Sequence, residues 1–358
     1  MKVGKTMAGL AQLKFEMGTS IFLLAFIFAL FLSAIMFLVD AFVINFDFVY
    51  GLIITLSLTT LFVLFQYLVG PAIVKASTHL RYLQEGENPW LESTVKELAG
   101  KSGVPMPRLA TVPDNTPNAF VFGRSSGNAT LAVHEGLLRN LNENEVKGVI
   151  GHELGHLKHK DYIVMTVVAA LPLVAYIIAR TTFAAGAYSR SSRKEGGNAR
   201  AALLVAGVVS YLVYVVALLC VMRLSRLREH YSDAYSAYLT GSPRSLESGL
   251  SKITYGLSLS PKEPSGVRAF YIGDPAMAKQ EISEIMEKKS EYDLDHDGVL
   301  DEHELELAME KEAKSAWRTV NSWFSTHPPT FKRILLLQEI DQEMQSGKYT
   351  SDRVYAHV

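Results

Sequence analysis

Long apolar runs dominate the first part of the chain, and amphipathic or mixed stretches fill the rest. Ser20–Val39 and Val49–Val69 carry no formal charge, and each is long enough to cross a hydrocarbon core of about 30 Å as a helix. A third run, Ile163–Ala179, is shorter and contains Pro172, and a fourth spans Leu203–Met222. The first two predict transmembrane helices. The second pair predicts either two more crossings or a hairpin packed on a soluble domain.

Between the runs the pattern becomes mixed. ATV, AFVF and TLAV, which end at Val112, Phe122 and Val133, are short β-prone runs around a turn-rich Pro105–Pro117, with Gly123–Gly127 as the turn between the last two. A helix is expected next, with Asn142 as N-cap and Glu145 three residues on as a capping box, running through Val146, Val149 and Ile150 to His156. The Ser/Gly/Arg stretch Ala187–Arg200 predicts a flexible loop. Beyond the fourth run the chain reads as charged and helical to near its end. The resulting division is residues 1–75 for two membrane helices and 76–160 for the first part of a catalytic domain. Residues 161–222 form the hydrophobic pair and 223–358 the second part of that domain.

Composition narrows the class. The 358 residues are 49% hydrophobic and 20% charged, greasy for a soluble protein yet too charged for a pure transporter. A net charge of −1 gives no reason to expect nucleic acid. The single cysteine, Cys220, lies inside the fourth run, so no intramolecular disulfide can form.

Lys2, Lys5 and Lys14 precede the first run, the loop from Asp40 to Phe48 has no basic residue, and Lys75 and Arg81 follow the second. The positive-inside rule then predicts a multi-pass cell-membrane protein with its amino terminus and catalytic portion in the cytoplasm. Arg180, Arg190, Arg193, Lys194 and Arg200 lie between the third and fourth runs. If both runs cross, these charges fall on the wrong side, so the topology of that pair stays open.

The chemistry centres on HELGH at 152–156. One helical turn separates His152 from His156, so both imidazoles can reach one metal ion, and Glu153 can act as general base on a metal-activated water. Zinc lowers the pKa of such a water and polarises the scissile carbonyl. Gly151 and Gly155 leave room around the site. A tetrahedral catalytic zinc needs a third protein ligand, for which Glu229 is the candidate, with Asp233 four residues on to accept the free N–H of a liganding histidine. His159 reads as part of a basic cluster with Lys158 and Lys160 rather than as a ligand. The fold expected is therefore a mainly α membrane protein with a small β-sheet, its transmembrane helices joined to a zincin-like α+β catalytic domain.

With two amino-terminal spans, HELGH before a hydrophobic pair, Glu229/Asp233, the segment STHPPTFKRI at 325–334 and NAF at 118–120, the chain resembles the HtpX family of membrane zinc peptidases. That family is related to the CAAX prenyl endopeptidase. The resemblance implies zinc on His152, His156 and Glu229, with Glu153 as base and Asp233 supporting a ligand. It also implies that Asn118, Ala119 and Phe120 lie on an edge strand pairing with extended substrate, and that His327 and Arg333 lie where a donor could stabilise an oxyanion. Phe331 departs from the pattern, since relatives often carry an acidic residue there.

One insertion, at about 278–316, departs further. DLDHDGVLDEHE at 293–304 matches the calcium loop of an EF-hand, with Asp293, Asp295, Asp297, Val299, Asp301 and Glu304 as ligands and Gly298 at the sharp turn. Ile282, Ile285 and Met286 before it, and Leu305 and Met309 after it, predict flanking helices. The expected cofactors are thus one Zn2+ and a Ca2+, and the expected partners a lipid bilayer and misfolded or damaged membrane proteins as substrates. Oligomers are possible. Two other functions fit parts of the sequence: a prenyl-protein processing peptidase, and a calcium-responsive membrane scaffold with a vestigial site. The intact base Glu153 speaks against the scaffold.

Overall fold

A computed structural model describes residues 48–188, 194–259, 271–297, 300–313 and 325–347, together with Tyr349, Val354 and six residues between Phe15 and Phe31. The first expected span therefore lies outside the described residues but for Phe22, Phe26 and Phe31. In chain order the elements are α1 (Phe48–Thr78), β1 (Arg81–Tyr82), α2 (Pro89–Ser102), β2 (Arg108–Val112), β3 (Ala119–Gly123), β4 (Ala129–His134), α3 (Glu135–Asn140) and α4 (Glu143–His159). They continue with α5 (Asp161–Tyr188), α6 (Lys194–Thr240), α7 (Pro243–Ser258), α8 (Pro275–Glu287), α9 (Lys289–Tyr292), α10 (Glu302–Ala313) and α11 (Thr330–Gln345). The chain is mostly helical with one small sheet.

The described residues fall into two compact units, one built from Pro71–Ile163 and Ser225–Val358, the other from Phe15–Gly70 and Val164–Leu224. In the second unit the buried positions described are small or aliphatic, apart from Phe31. Ala175 and Ala206 pack with Phe31, and Ala217 packs with Val168, Val221 and Leu224. Large apolar side chains point outward instead: Leu61 is 62% exposed and Leu212 60%. Small residues between the helices let them approach closely, and the apolar side chains outside form an exposed greasy surface. Among the described residues, Arg200–Thr240 within α6 is long and apolar enough to cross a membrane, and Leu171–Ala187 within α5 is a shorter apolar helix.

One expectation changes here. Of the stretch Ala187–Arg200 expected as a loop, α5 takes the residues to Tyr188 and α6 those from Lys194, and residues 189–193 lie outside the described residues. The fourth run and the charged residues after it, Glu229 and Asp233 among them, are continuous. They form one helix of 47 residues, roughly 70 Å long at 1.5 Å per residue.

In the first unit the sheet order is β1-β2-β4-β3, with β2 and β4 parallel and the outer pairs antiparallel. β2, β3 and β4 are the strands expected from ATV, AFVF and TLAV, and β1, only two residues long, left no pattern to read. One face of the sheet packs Ala110, Val112, Phe120, Phe122 and Ala132 against Val74 and Leu80. Helix α4 begins as its sequence predicts. Asn142 accepts the N–H groups of Asn144 and Glu145, both at 3.0 Å, and Glu145 accepts that of Asn142 at 2.8 Å.

What seats α4 against α6 and α7 is a row of glycines. A Cβ at Gly148 would come within 2.8 Å of the Leu246 backbone, at Gly151 within 2.8 Å of Ser236 Oγ, and at Gly155 within 3.1 Å of Ser232 Cα. The room these glycines leave is taken up by a neighbouring helix, and Ser236 Oγ bonds Gly148 O at 2.6 Å across the gap.

Candidate metal centre

Close packing of α4 on α6 brings three side chains together. His152 and His156 project from α4 and Glu229 from α6, and one ligand atom from each lies within 4.8 Å of the others. The two Nε2 atoms are 3.0 Å apart, and the Glu229 carboxylate oxygens lie 3.4 Å from each. A tetrahedral zinc with bonds of 2.0–2.1 Å places its ligand atoms about 3.3 Å apart, so the spacing suits that ion. Among the described residues Glu229 Oε2 is buried with no hydrogen-bond partner, as a ligand atom held for a metal would be. The donor set therefore fits zinc by spacing, by chemistry and by this orphaned oxygen.

The far side of each imidazole is also held. Asp233 Oδ1 lies 2.8 Å from His152 Nδ1. Asp161 Oδ2 lies 2.7 Å from His156 Nδ1, and Ser232 Oγ lies 3.1 Å from the same nitrogen. Asp161 was not anticipated. The available signal was a lone acidic residue between the HELGH helix and an apolar run. Burial opposes charge on His152, but hydrogen bonds to the Asp233 and Glu229 carboxylates outweigh it and carry that imidazole up to about 9. Burial wins at His156, which falls to about 4 despite Glu229.

Glu153 is buried, and burial raises its carboxyl above the usual range although both histidines oppose the shift. It also takes a hydrogen bond from the backbone of Val121, which sets β3 beside the base. Strand β3 pairs only with β4 among the described strands, so its other edge is open. Asn118 O accepts the N–H of His134. By antiparallel alternation Phe120 also faces β4, while Ala119 and Val121 turn their backbone groups to the open edge.

NAF therefore divides its roles. Asn118 Oδ1 accepts the N–H of Ile272 at 2.9 Å, the Phe120 ring sits in the core, and Ala119 faces the open edge together with Val121, which sequence reasoning missed.

His327 and Arg333 both reach Glu229 Oε2: His327 is buried with Nδ1 at 3.5 Å from that oxygen, and Arg333 Nη1 lies 3.7 Å from it. Arg333 is also anchored. Nε and Nη2 grip Asp233 at 2.8 and 2.7 Å, and Nη1 donates to Ile272 O. A planar fork so engaged holds Asp233 in place. His159 stays out of the centre and meets the Tyr235 ring edge-to-face at 5.5 Å, with burial lowering it to about 4.

At the insertion, Asp293, Asp295 and Asp297 bring carboxylate oxygens within 4.8 Å of one another. Gly298 and Val299 lie outside the described residues. Asp301 and Glu304 form a capping box at the start of α10, with bonds of 2.8 and 3.0 Å, and Glu304 also accepts the Leu294 N–H. Ile282, Ile285 and Met309 share a core with Ile334 of α11, while Met286 is exposed.

With this geometry in view, the similarities to known proteins take on a definite meaning. The profile of Peptidase family M48 matches residues 85–341. The Protease HtpX homolog of Methanothermobacter thermautotrophicus is 37% identical over 193 residues, 54% of this chain and 70% of that one. The homolog of Aeropyrum pernix is 33% identical over 297 residues, 81% of this chain and 87% of that one. The homolog of Pyrococcus furiosus is 34% identical over 297 residues, covering 82% and 88%. A crystal structure of S. mikatae Ste24p aligns with a TM-score of 0.48 at 15% identity, covering 92% of this chain and 65% of that longer one. The profile spans both halves of the metal centre, from before the HELGH helix to beyond Arg333, and the chain belongs to peptidase family M48.

Proposed function

We propose that this M48 member is an HtpX-type membrane zinc endopeptidase whose metal is held by His152, His156 and Glu229. The observation that carries the reading is the near-tetrahedral spacing of those three ligands beside a buried carboxyl, Glu153. Zinc bound there supplies a Lewis acid for the scissile carbonyl and lowers the pKa of the attacking water.

The remaining work falls to the chain. Ala119 and Val121 align an extended substrate against the open edge of β3. Glu153, raised by burial, takes the proton of the attacking water and delivers it to the leaving amine. Burial of the site strengthens each of these interactions by excluding solvent.

Substrates on this reading are unfolded or damaged membrane proteins, read by backbone shape. The apolar surface of the second unit supports a multi-pass setting, and the basic residues flanking the first two runs support a cytoplasmic catalytic unit. The HtpX similarity does not favour the prenyl-peptidase or scaffold readings. In inverted membrane vesicles, added casein should be cleaved, cleavage should stop on chelation and return with zinc, and right-side-out vesicles should leave casein intact. Cleavage that survives chelation rejects the metal centre, and cleavage confined to right-side-out vesicles reverses the orientation.

Calcium is the second metal of the proposal, at Asp293, Asp295, Asp297 and Glu304. What supports a regulatory effect is the shared core of Ile282, Ile285, Met309 and Ile334. Glu281 Oε1 of α8 also accepts the Thr330 N–H at the start of α11. Ordering the loop would thus steady the helix that carries Arg333. Zinc-dependent cleavage is expected to rise with calcium in the wild type and not in Glu304→Gln; equal activity with and without calcium removes the regulatory role.

A further inference from the structure

A ligating imidazole that offers Nε2 to a metal must keep its one proton on Nδ1, and that proton needs an acceptor to hold tautomer and ring in place. His152 has Asp233 for this purpose. We propose that Asp161, set by Arg228, is the positioning residue that does the same for His156, so that each metal histidine is held by its own Arg–Asp pair. The inference rests on the metal centre proposed above.

Several features converge on Asp161. Its Oδ2 lies 2.7 Å from His156 Nδ1, while Oδ1 is ion-paired with Arg228 Nη2. Both side chains are buried, and the guanidinium also bonds His159 O at 3.2 Å. Asp161 is the first residue of α5, where unpaired N–H groups and the helix dipole favour a negative charge. Arg228 and the helix terminus together keep the carboxylate an acceptor, so the proton of His156 stays on Nδ1.

Chain geometry explains how a residue five positions on can return to His156. In an unbroken helix, residue i+5 sits about 140° around the axis from residue i. Lys160 breaks α4 with a left-handed φ of 58°, and α5 starts at once in a new direction. Arg228 immediately precedes Glu229 on α6, so one helix supplies both a metal ligand and the clamp on another ligand's support. The second Arg–Asp pair comes from different elements and is bidentate: Arg333 grips both oxygens of Asp233, and His152 Nδ1 shares Oδ1 with it.

The test uses the full chain purified in detergent, stripped of metal, with zinc affinity measured by competition against a chromophoric chelator. Asp161→Asn keeps the shape of the side chain, and carries the test should Asp161→Leu fail to fold. Both variants are expected to bind zinc about 10–100-fold more weakly than wild type. The visible bands of the cobalt-substituted protein should shift as the His156 ring loses its anchor. Zinc affinity and cobalt bands equal to wild type would overturn the proposal even if the melting temperature fell, because that is the behaviour of a purely structural ion pair. A wild type that binds no zinc overturns the metal centre itself, and the clamp with it.

Discussion

Glu153→Gln should leave a folded, zinc-loaded protein whose casein cleavage is about 10²–10⁴-fold slower than wild type, the usual loss when a general base is removed. Glutamine keeps the side-chain volume and an acceptor for the Val121 backbone, so the fold around the site has no reason to move. What it removes is a buried carboxylate whose pKa burial raises above the usual range. His152, His156 and Glu229 are untouched, so zinc content by atomic absorption should match wild type. Equal cleavage by the two proteins would mean that another group is the base. Loss of zinc together with loss of activity would mean that Glu153 shapes the metal site.

Arg333→Met should lower stability by about 3–5 kcal/mol, because it leaves the buried Asp233 without its counter-charge. Asp233 is fully enclosed and its two oxygens are held by Arg333 and His152. The same substitution also frees Ile272 O, and with it the link from Ile272 to Asn118. Thermal melting of the metal-free protein in detergent reads the effect, and replacing Asp233 by Leu as well should restore a large part of the loss. An oxyanion donor would behave otherwise, with an unchanged melting temperature and a lower kcat. That result would place Arg333 in the chemistry.

The legible part of this protein was the part written in local spacing. HELGH and the Glu229/Asp233 pair each lie on one helix, where an interval of four residues fixes a shared face, so sequence alone could group them. Asn142 and Glu145 announce a helix start because a capping box is closed within four residues. The partners of Arg228, Arg333 and Asn118 lie 67, 100 and 154 residues away, and no periodicity encodes which distant group a side chain meets. The pairing of Arg333 with Asp233 is visible only once α6 and α11 are adjacent. Asp161 was hidden differently. A left-handed break at Lys160, a residue type that rarely adopts it, redirects the chain in a way the helical pattern on either side does not reveal.

The bond between Val121 and Glu153 couples selection to cutting. Val121 lies on β3 and gives its backbone N–H to the Glu153 carboxylate, so on the proposed reading the strand that aligns a substrate and the base that acts on it are one fitted piece. Only a stretch of chain with unpaired backbone groups can lie along such an edge. A helical span keeps those groups bonded within itself and has nothing to lend a strand. Intact helices would thus be spared by their own hydrogen bonding, and a segment that unravels would expose itself to cutting.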